Sequence, residues 1–463
     1  MHSLIDAAMD RSGAGSPSLV RALFLSLTCV ALQASCSEDI HIRTGVREPT
    51  LPAAGNGQDT REDTPSMPQT DAGSDSNATA SDSCTTWRHD SDLALADLAD
   101  SSCSTIAAKA FRYALCACDV LTSRAQLTSD AFDSARGPYM RSEPGAGIGS
   151  NGVLDARAGA ALSGTLVVGA TGLASLTGGS FQIGGNALVG GDLVFKQAEA
   201  TFDRELWVGR NIATTDSTVH VARTLRRSPE SKLTGEIDAS GGTSSEAVVV
   251  DDPCPCANRP LLDFDALRLS FSTNNDNASL GSPQAASLWY SSALELPCGR
   301  YLAQGGSATT ARWVAHHTSV VFIDGDLEIA GHLAVDLGTT GELDVLISGQ
   351  LTLQPGAQIA ATRAGALRLY VNGASIVRVS GGASLACNLY APTSQLLVSE
   401  EQTLYGALLF STLTATAPLS IHYDRAVLRA SGGAASCQEP ACVIDSECRA
   451  PFLCVAGRCG LAQ

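Results

Sequence analysis

The 463-residue chain carries 44 glycines, 5% aromatic and 17% charged residues, beside an ordinary 44% of apolar ones. Glycine without a G-X-Y period excludes collagen, and its abundance speaks against a coiled coil, which is built from Glu, Lys and Leu. The formal net charge of −17 leaves no basic face for nucleic acid, and the 15 cysteines point to an oxidising compartment.

The run ALFLSLTCVAL (22–32), preceded by Arg21, has the length and apolarity of a signal-peptide core and is too short to anchor a chain. Asp6 and Asp10 are unusual in such a leader, and Met9 as the true start would leave Arg11 and Arg21 ahead of the core. Gln33-Ala34-Ser35-Cys36 then resembles a bacterial lipobox, although Gln33 stands where that pattern usually has Leu. The resemblance implies that Cys36 becomes a lipid-bearing N-terminus, and hence that a membrane is the first partner. Ordinary cleavage near Ala34 is the alternative; export is expected from either reading of residues 1–36.

Residues 37–83 contain no aromatic side chain and are rich in Asp, Ser, Thr and Pro, which predicts a disordered acidic tether. Its root-mean-square reach would be roughly 40 Å. Residues 84–140 read as a helical segment, from LALADLA (93–99) and the helix formers of 105–121. It holds Cys84, Cys103, Cys116 and Cys118. On a continuous helix Cys116 and Cys118 would face nearly opposite sides, so disulfides to separate partners are expected. The spacing of a metal site is missing, and neither metal nor cofactor is expected.

From 145 onward, short alternating apolar pieces are punctuated by Gly, Asn, Asp and Ser (GTLVVGA, GSFQIGGN, GGDLVF, ELWVGRNI). VFIDGDLEI (321–329), VLISGQLTL (345–353) and LYVNGASIV (369–377) align without gaps, placing Gly325, Gly349 and Gly373 at a fixed period. Strand alternation within such a repeat predicts a mainly β fold, a parallel β-solenoid or β-helix. Its halves would be 145–250 and 299–430, with roughly ten coils at about 4.8 Å each. An insertion at 251–298 opens with DDPCPC and contains a short helix near Phe264 to Phe271. Cys254, Cys256 and Cys298 would staple its two ends. A last segment, 437–463, is too small for a core, and disulfides among Cys437, Cys442, Cys448, Cys454 and Cys459 are expected to hold it. Without Cys29 and Cys36 the cysteine count is odd, and isolated Cys387 is the candidate free thiol.

The glycine-rich strands, as in GGNALVGGDLVF, resemble bactofilin-type polymer-forming proteins, which implies a right-handed β-helix. Residues 298–428 are similar to an uncharacterised bacterial β-helix domain of pilus-assembly-like and myxobacterial surface proteins. CGRY (298–301), VVFIDGDLEI (320–329), GGASLACNLYAP (381–392), LYGALLF (404–410) and SIHYDRAV (420–427) carry that resemblance. Cys387 departs from the small residue, usually glycine, expected there. The terminal cysteine module resembles small repeats at the ends of myxobacterial lipoproteins. No enzymatic activity is implied by these resemblances.

Asp324 and Asp326 share one face, as paired acid–base carboxylates would. The repeat places Ser348 and Gln350, then Asn372 and Ala374, at the same positions, which fits turn formers better. His316-His317 lack a third ligand and are expected to be exposed. IHYD (421–424) has no nucleophile setting; Tyr423 is expected to pack and Asp424 to bond backbone groups. GAGIGS (145–150) is followed by neither Lys nor a helix, and the DDP at 251–253 lacks a calcium repeat around it. The expected function is that of a non-catalytic, adhesin-like lipoprotein of the cell envelope with a protein or polysaccharide partner. A polysaccharide-active enzyme and a bactofilin-like polymer are the alternatives.

Overall fold

The structure, a computed structural model, describes residues 106–140, 142–256, 261–280 and 293–429, with the backbone of 453–455 and 458–460. Segments 1–36 and 37–83, with the expected roles of Cys36, Cys84, Cys103, Cys437, Cys442 and Cys448, lie outside the described residues. Leu453–Val455 and Arg458–Gly460 pair as an antiparallel hairpin that sets Cys454 opposite Cys459.

Parallel strands stack into one continuous β-solenoid of about thirteen turns, a rod of roughly 60 Å at the spacing of paired strands. Each full turn supplies three strand pieces, so the rod has three faces. Inward side chains stack on their equivalents: Val321, Val345 and Leu369 are in register, as are Ile323, Ile347 and Val371, and all six are buried. Gly349 N–H donates to Gly325 C=O at 3.0 Å and Gly373 N–H to Gly349 C=O at 2.9 Å, so the glycines of the sequence repeat sit directly on one another.

The order of coils in space differs from their order in sequence. Leu115–Ser123 pairs on one side with Ile148–Ser150 and Val153–Arg157, and on the other with Leu408–Ala415. Leu127–Phe132 likewise lies between Ala160–Leu162 and Leu419–Asp424. The first coil, 115–132, is therefore in the middle of the stack. From it the chain winds outward through 148–245 to one end and returns along the rod to the other. It then winds inward through 299–424 until its last coil closes on its first. That closure is the seam.

This arrangement corrects the reading of 84–140 as helical. Among the described residues only Ile106–Ala110 (helix α1) is α-helical there, with a single 3-10 turn at Ser134–Arg136. Ala and Leu in 115–121 favour a helix in isolation, but two neighbouring coils offer ladders on both edges, and tertiary pairing overrides propensity. The expected opposition of Cys116 and Cys118 fails for the same reason. On a strand, residues two apart face one side, and the pair bonds Cys254 and Cys256 respectively, each with Cα atoms 5.7 Å apart. The insertion is corrected too: it does not leave and rejoin one place in the stack, but joins its opposite ends.

The returning strap, 246–256, covers the six rungs from Thr243–Ser245 to the seam, a span of roughly 29 Å, which an extended chain of that length can cross. Val248 and Val250 are buried while Val249 between them is 83% exposed, the alternation of an extended segment lying on a surface. Pro253 reaches Gly149, and Asn151 clamps Cys254 through bonds of 2.8 and 2.9 Å to its N–H and C=O. Beyond it, Phe264–Thr273 (helix α2) is capped by Asp263, whose carboxylate accepts from the N–H groups of Asp265 and Ala266. Its buried stripe of Phe264, Leu267 and Phe271 packs on Phe322, with ring centroids 6.4 and 5.4 Å away for the two phenylalanines. Asp276 and Asn277 then hydrogen-bond the backbone of Arg300 and Leu302, closing part of the last strand edge.

Strap, α2 and α1 spend the first face on the protein's own interior. Outward Phe322, Leu346 and Tyr370 are consequently buried, and Phe111 beside α1 meets Tyr370 at 5.6 Å. Arg368 is buried in the same layer and donates to Asp344 and Glu342. Burial opposes its charge, but the two carboxylates hold it above the usual guanidinium range.

Candidate functional site

The second and third faces keep the alternation of one side in, one side out. On the second face, Leu397, Thr414, Thr122, Asp155, Ser175 and Val194 form one outward row in register across the seam. Beside it run Gln395, Thr412, Val120, Val153 and Leu173. These residues are half-buried or exposed. The face mixes methyl and hydroxyl groups with a few charges, including the Arg157–Asp155 pair at 2.8 Å.

The third face has one row that differs in charge. That outward row begins with Thr310, His332, Gln358 and Ser384, and continues through Thr403 and Ser420 to the seam. Beyond the seam it runs through Thr128, Ala161, Gln182, Thr201 and His220 before the first carboxylate, Asp238. All of these positions are half-buried or exposed. Forty-seven acidic residues occur in the chain, yet this row carries none over roughly 48 Å.

An aromatic cluster stands beside the row at the seam. Tyr405 is in register with His422 and His422 with Asp130. The turn after Ser134–Arg136 brings Tyr139 back over them. His422 is held between Tyr139 and Tyr405, with centroids at 4.0 and 5.0 Å, and its Nδ1 lies 2.6 Å from an Asp130 oxygen. Tyr139 donates its hydroxyl proton to the other Asp130 oxygen at 2.8 Å. Burial, then that bond, pushes the Tyr139 hydroxyl up to about 12. Both tyrosines remain half-buried, and the neighbouring Met140 is 82% exposed.

The residues singled out by sequence separate clearly. Cys116, Cys118, Cys254 and Cys256 are brought together in two parallel bridges, and Cys298 is also disulfide-bonded. Cys387 is a free, buried thiol, pushed up to about 12 by burial. Asp326 accepts the Gln350 N–H at 2.7 Å, and Asp324 accepts from the Ser348 hydroxyl at 3.4 Å, so both stitch one coil to the next. His316 and His317 are exposed. Tyr423 is buried and bonds Phe111 C=O; buried Asp424 accepts from Ser134, Gly365 and Ala426 N–H groups. Gly145 begins no phosphate loop, because the short strand Ile148–Ser150 follows it. No group of three metal-ligating side chains occurs among the described residues, and no helix among them is long and apolar enough to cross a membrane.

Sequence reasoning missed Asp130, Tyr139, Tyr405 and the carboxylate-free row. Alternation inside each strand was a signal for the row, but its continuity across the seam depends on pairing residues 292 apart, such as Thr128 with Ser420.

A family model described as a domain of unknown function, DUF7305, matches residues 270–429, from α2 to the end of the inward-winding half. No curated protein matches the chain. Among solved structures, an ice binding protein from an Antarctic bacterium, Flavobacteriaceae, aligns at 9% identity over 70% of this chain and 99% of that one, with a TM-score of 0.20.

Proposed function

We propose that the chain is an exported, lipid-anchored protein of the bacterial cell envelope that works by surface interaction rather than by catalysis. The observation that carries this reading is the pair of faces that no other described residues cover, which hold outward side chains in register across the seam. The first face is used up by the protein's own strap and helices, whereas the other two remain for a partner. The two strap disulfides support an oxidising compartment, and the lipobox-like Cys36 supports a membrane anchor.

Fractionation of cells expressing the full chain or a Cys36→Ser variant tests the anchoring. The expected result is a membrane-bound chain with acylated Cys36, and a soluble variant. A mature N-terminus without lipid would overturn the anchor. Cleavage of any polysaccharide by the purified mature chain, lost in an Asp324→Asn, Asp326→Asn variant, would overturn the non-catalytic reading.

A further inference from the structure

We propose that the third face binds an uncharged polysaccharide, laid along the rod axis with the Tyr139–Tyr405 cluster as its stacking platform. This rests on the surface-interaction reading above and names the face and the class of partner. Charge on both sides selects the polymer. A chain of net charge −17 repels polyanions at long range. The row through Gln358, Thr403, Thr128 and Gln182 carries no carboxylate; of those beside it, Asp130 is taken by His422 and Tyr139 and Asp336 by Arg312, which leaves Glu199 as the exposed acid facing a cationic polymer or a basic protein. Hydroxyl and amide groups that both donate and accept, present at most rungs of the row, suit a polymer of hydroxyl groups.

The aromatic cluster supplies what the row lacks. Tyrosine presents an apolar ring with a polar tip, and the apolar C–H face of a sugar ring packs on such a ring while its rim bonds hydroxyls. Asp130 fixes both His422 and Tyr139, so the platform is held before any ligand arrives. The row is flat and open rather than a closed pocket, which favours an extended chain gripped weakly at many rungs.

The test uses the mature chain with neutral glucan and mannan, with anionic and cationic polysaccharides beside them, in affinity electrophoresis. Retention by a neutral polymer is expected. Gln358→Glu with Thr403→Glu, both at exposed positions, should weaken it about tenfold or more. Thr352→Glu on the second face, also exposed, should leave it unchanged. Circular dichroism of each variant verifies folding. Retention only by charged polymers, or equal loss from the second-face variant, would overturn the proposal. So would a mature chain that binds whole envelopes but no neutral glycan, an outcome that leaves the broader interaction reading standing.

Discussion

The outward-winding half, 148–245, and the inward-winding half, 299–424, obey the same rung geometry with different perimeters. Outward coils repeat every 19 residues at pairs such as Asp192 and Asn211, while the inward half widens to 24 in its middle coils, at Asp326 and Gln350, and narrows again to 19 beside the seam, at Leu389 and Leu408. The short coils turn on backbone conformation together with side chains, Asn186, Asp192 and Ser217 each accepting a backbone N–H of a neighbouring coil. Ala158, Gly178, Gln197 and Asp216 occupy one corner in successive turns, all with positive φ. At another corner, a Cβ added to Gly191 would lie 1.7 Å from Gly172 O. The longer coils use the same device, with Asp326 and Ser348 bonding the backbone of the neighbouring coil. Hydrogen bonding between rungs sets the rise in both halves, and the number of residues per coil sets the girth.

The comparison breaks most visibly at the strap, which ties the two halves. Replacing all four of Cys116, Cys118, Cys254 and Cys256 by Ala opens a loop of 138 residues and should cost about 5 kcal/mol on chain-entropy scaling. Removing one pair should cost a small fraction of that, because the other bridge still closes nearly the same loop. Denaturant midpoints of the single-pair and double-pair variants check this; equal losses would refute it. At the seam, Asp424→Ala leaves two buried N–H donors, of Ser134 and Gly365, and the half-buried one of Ala426 without their acceptor. A loss of about 3–5 kcal/mol is expected from the usual cost of such groups, measurable by thermal or denaturant unfolding.

A smaller change separates the halves. Gly191→Ala should cost about 2–3 kcal/mol, of the order of an overpacked core site, and should raise hydrogen exchange in 148–245 more than in 299–424. Cys387 reports on the inward half. Its raised pKa keeps the thiol protonated from the ordinary thiol range up to about pH 12, so iodoacetamide at pH 8 should leave it unlabelled in this variant. Rapid labelling would mean that the halves open together. The smallest effect runs the other way. Gln197→Gly relieves a left-handed residue at φ 51° and should stabilise by about 0.5–1 kcal/mol, less the entropy glycine carries when unfolded. A lowered melting temperature would show that the corner is not strained.

The repeat of Gly325, Gly349 and Gly373 made the inward half readable, because identical turns recur at one spacing. The outward half showed itself through alternation and glycine pairs. Phe322, Leu346 and Tyr370 were legible as equivalents, but their outward burial depends on α2 and α1, which no local pattern announces. Leu367–Val371 is buried at every position; such unbroken runs mark a covered face, as in two-sided parallel sheets. Cys116 and Cys118 misled because a short Ala- and Leu-containing stretch carries both periods. The Tyr139–Asp130–His422 cluster was out of reach, since it joins residues whose adjacency exists only once the last coil has docked.

That docking has a mechanical consequence. Ile106 and Arg429 flank the two coils that meet at the seam, so tension applied to the ends of this region is borne first by the seam. The contacts loaded there include the backbone ladders between 115–132 and 408–424, the Arg425–Glu143 and Arg429–Asp133 ion pairs, and the Ser411–Asp119 bond. The remaining turns lie outside the path of the force, and the disulfide-pinned strap joins their far ends. A pull that would peel an ordinary solenoid turn by turn from its tip must instead shear this one at its waist, with two unloaded arms on either side.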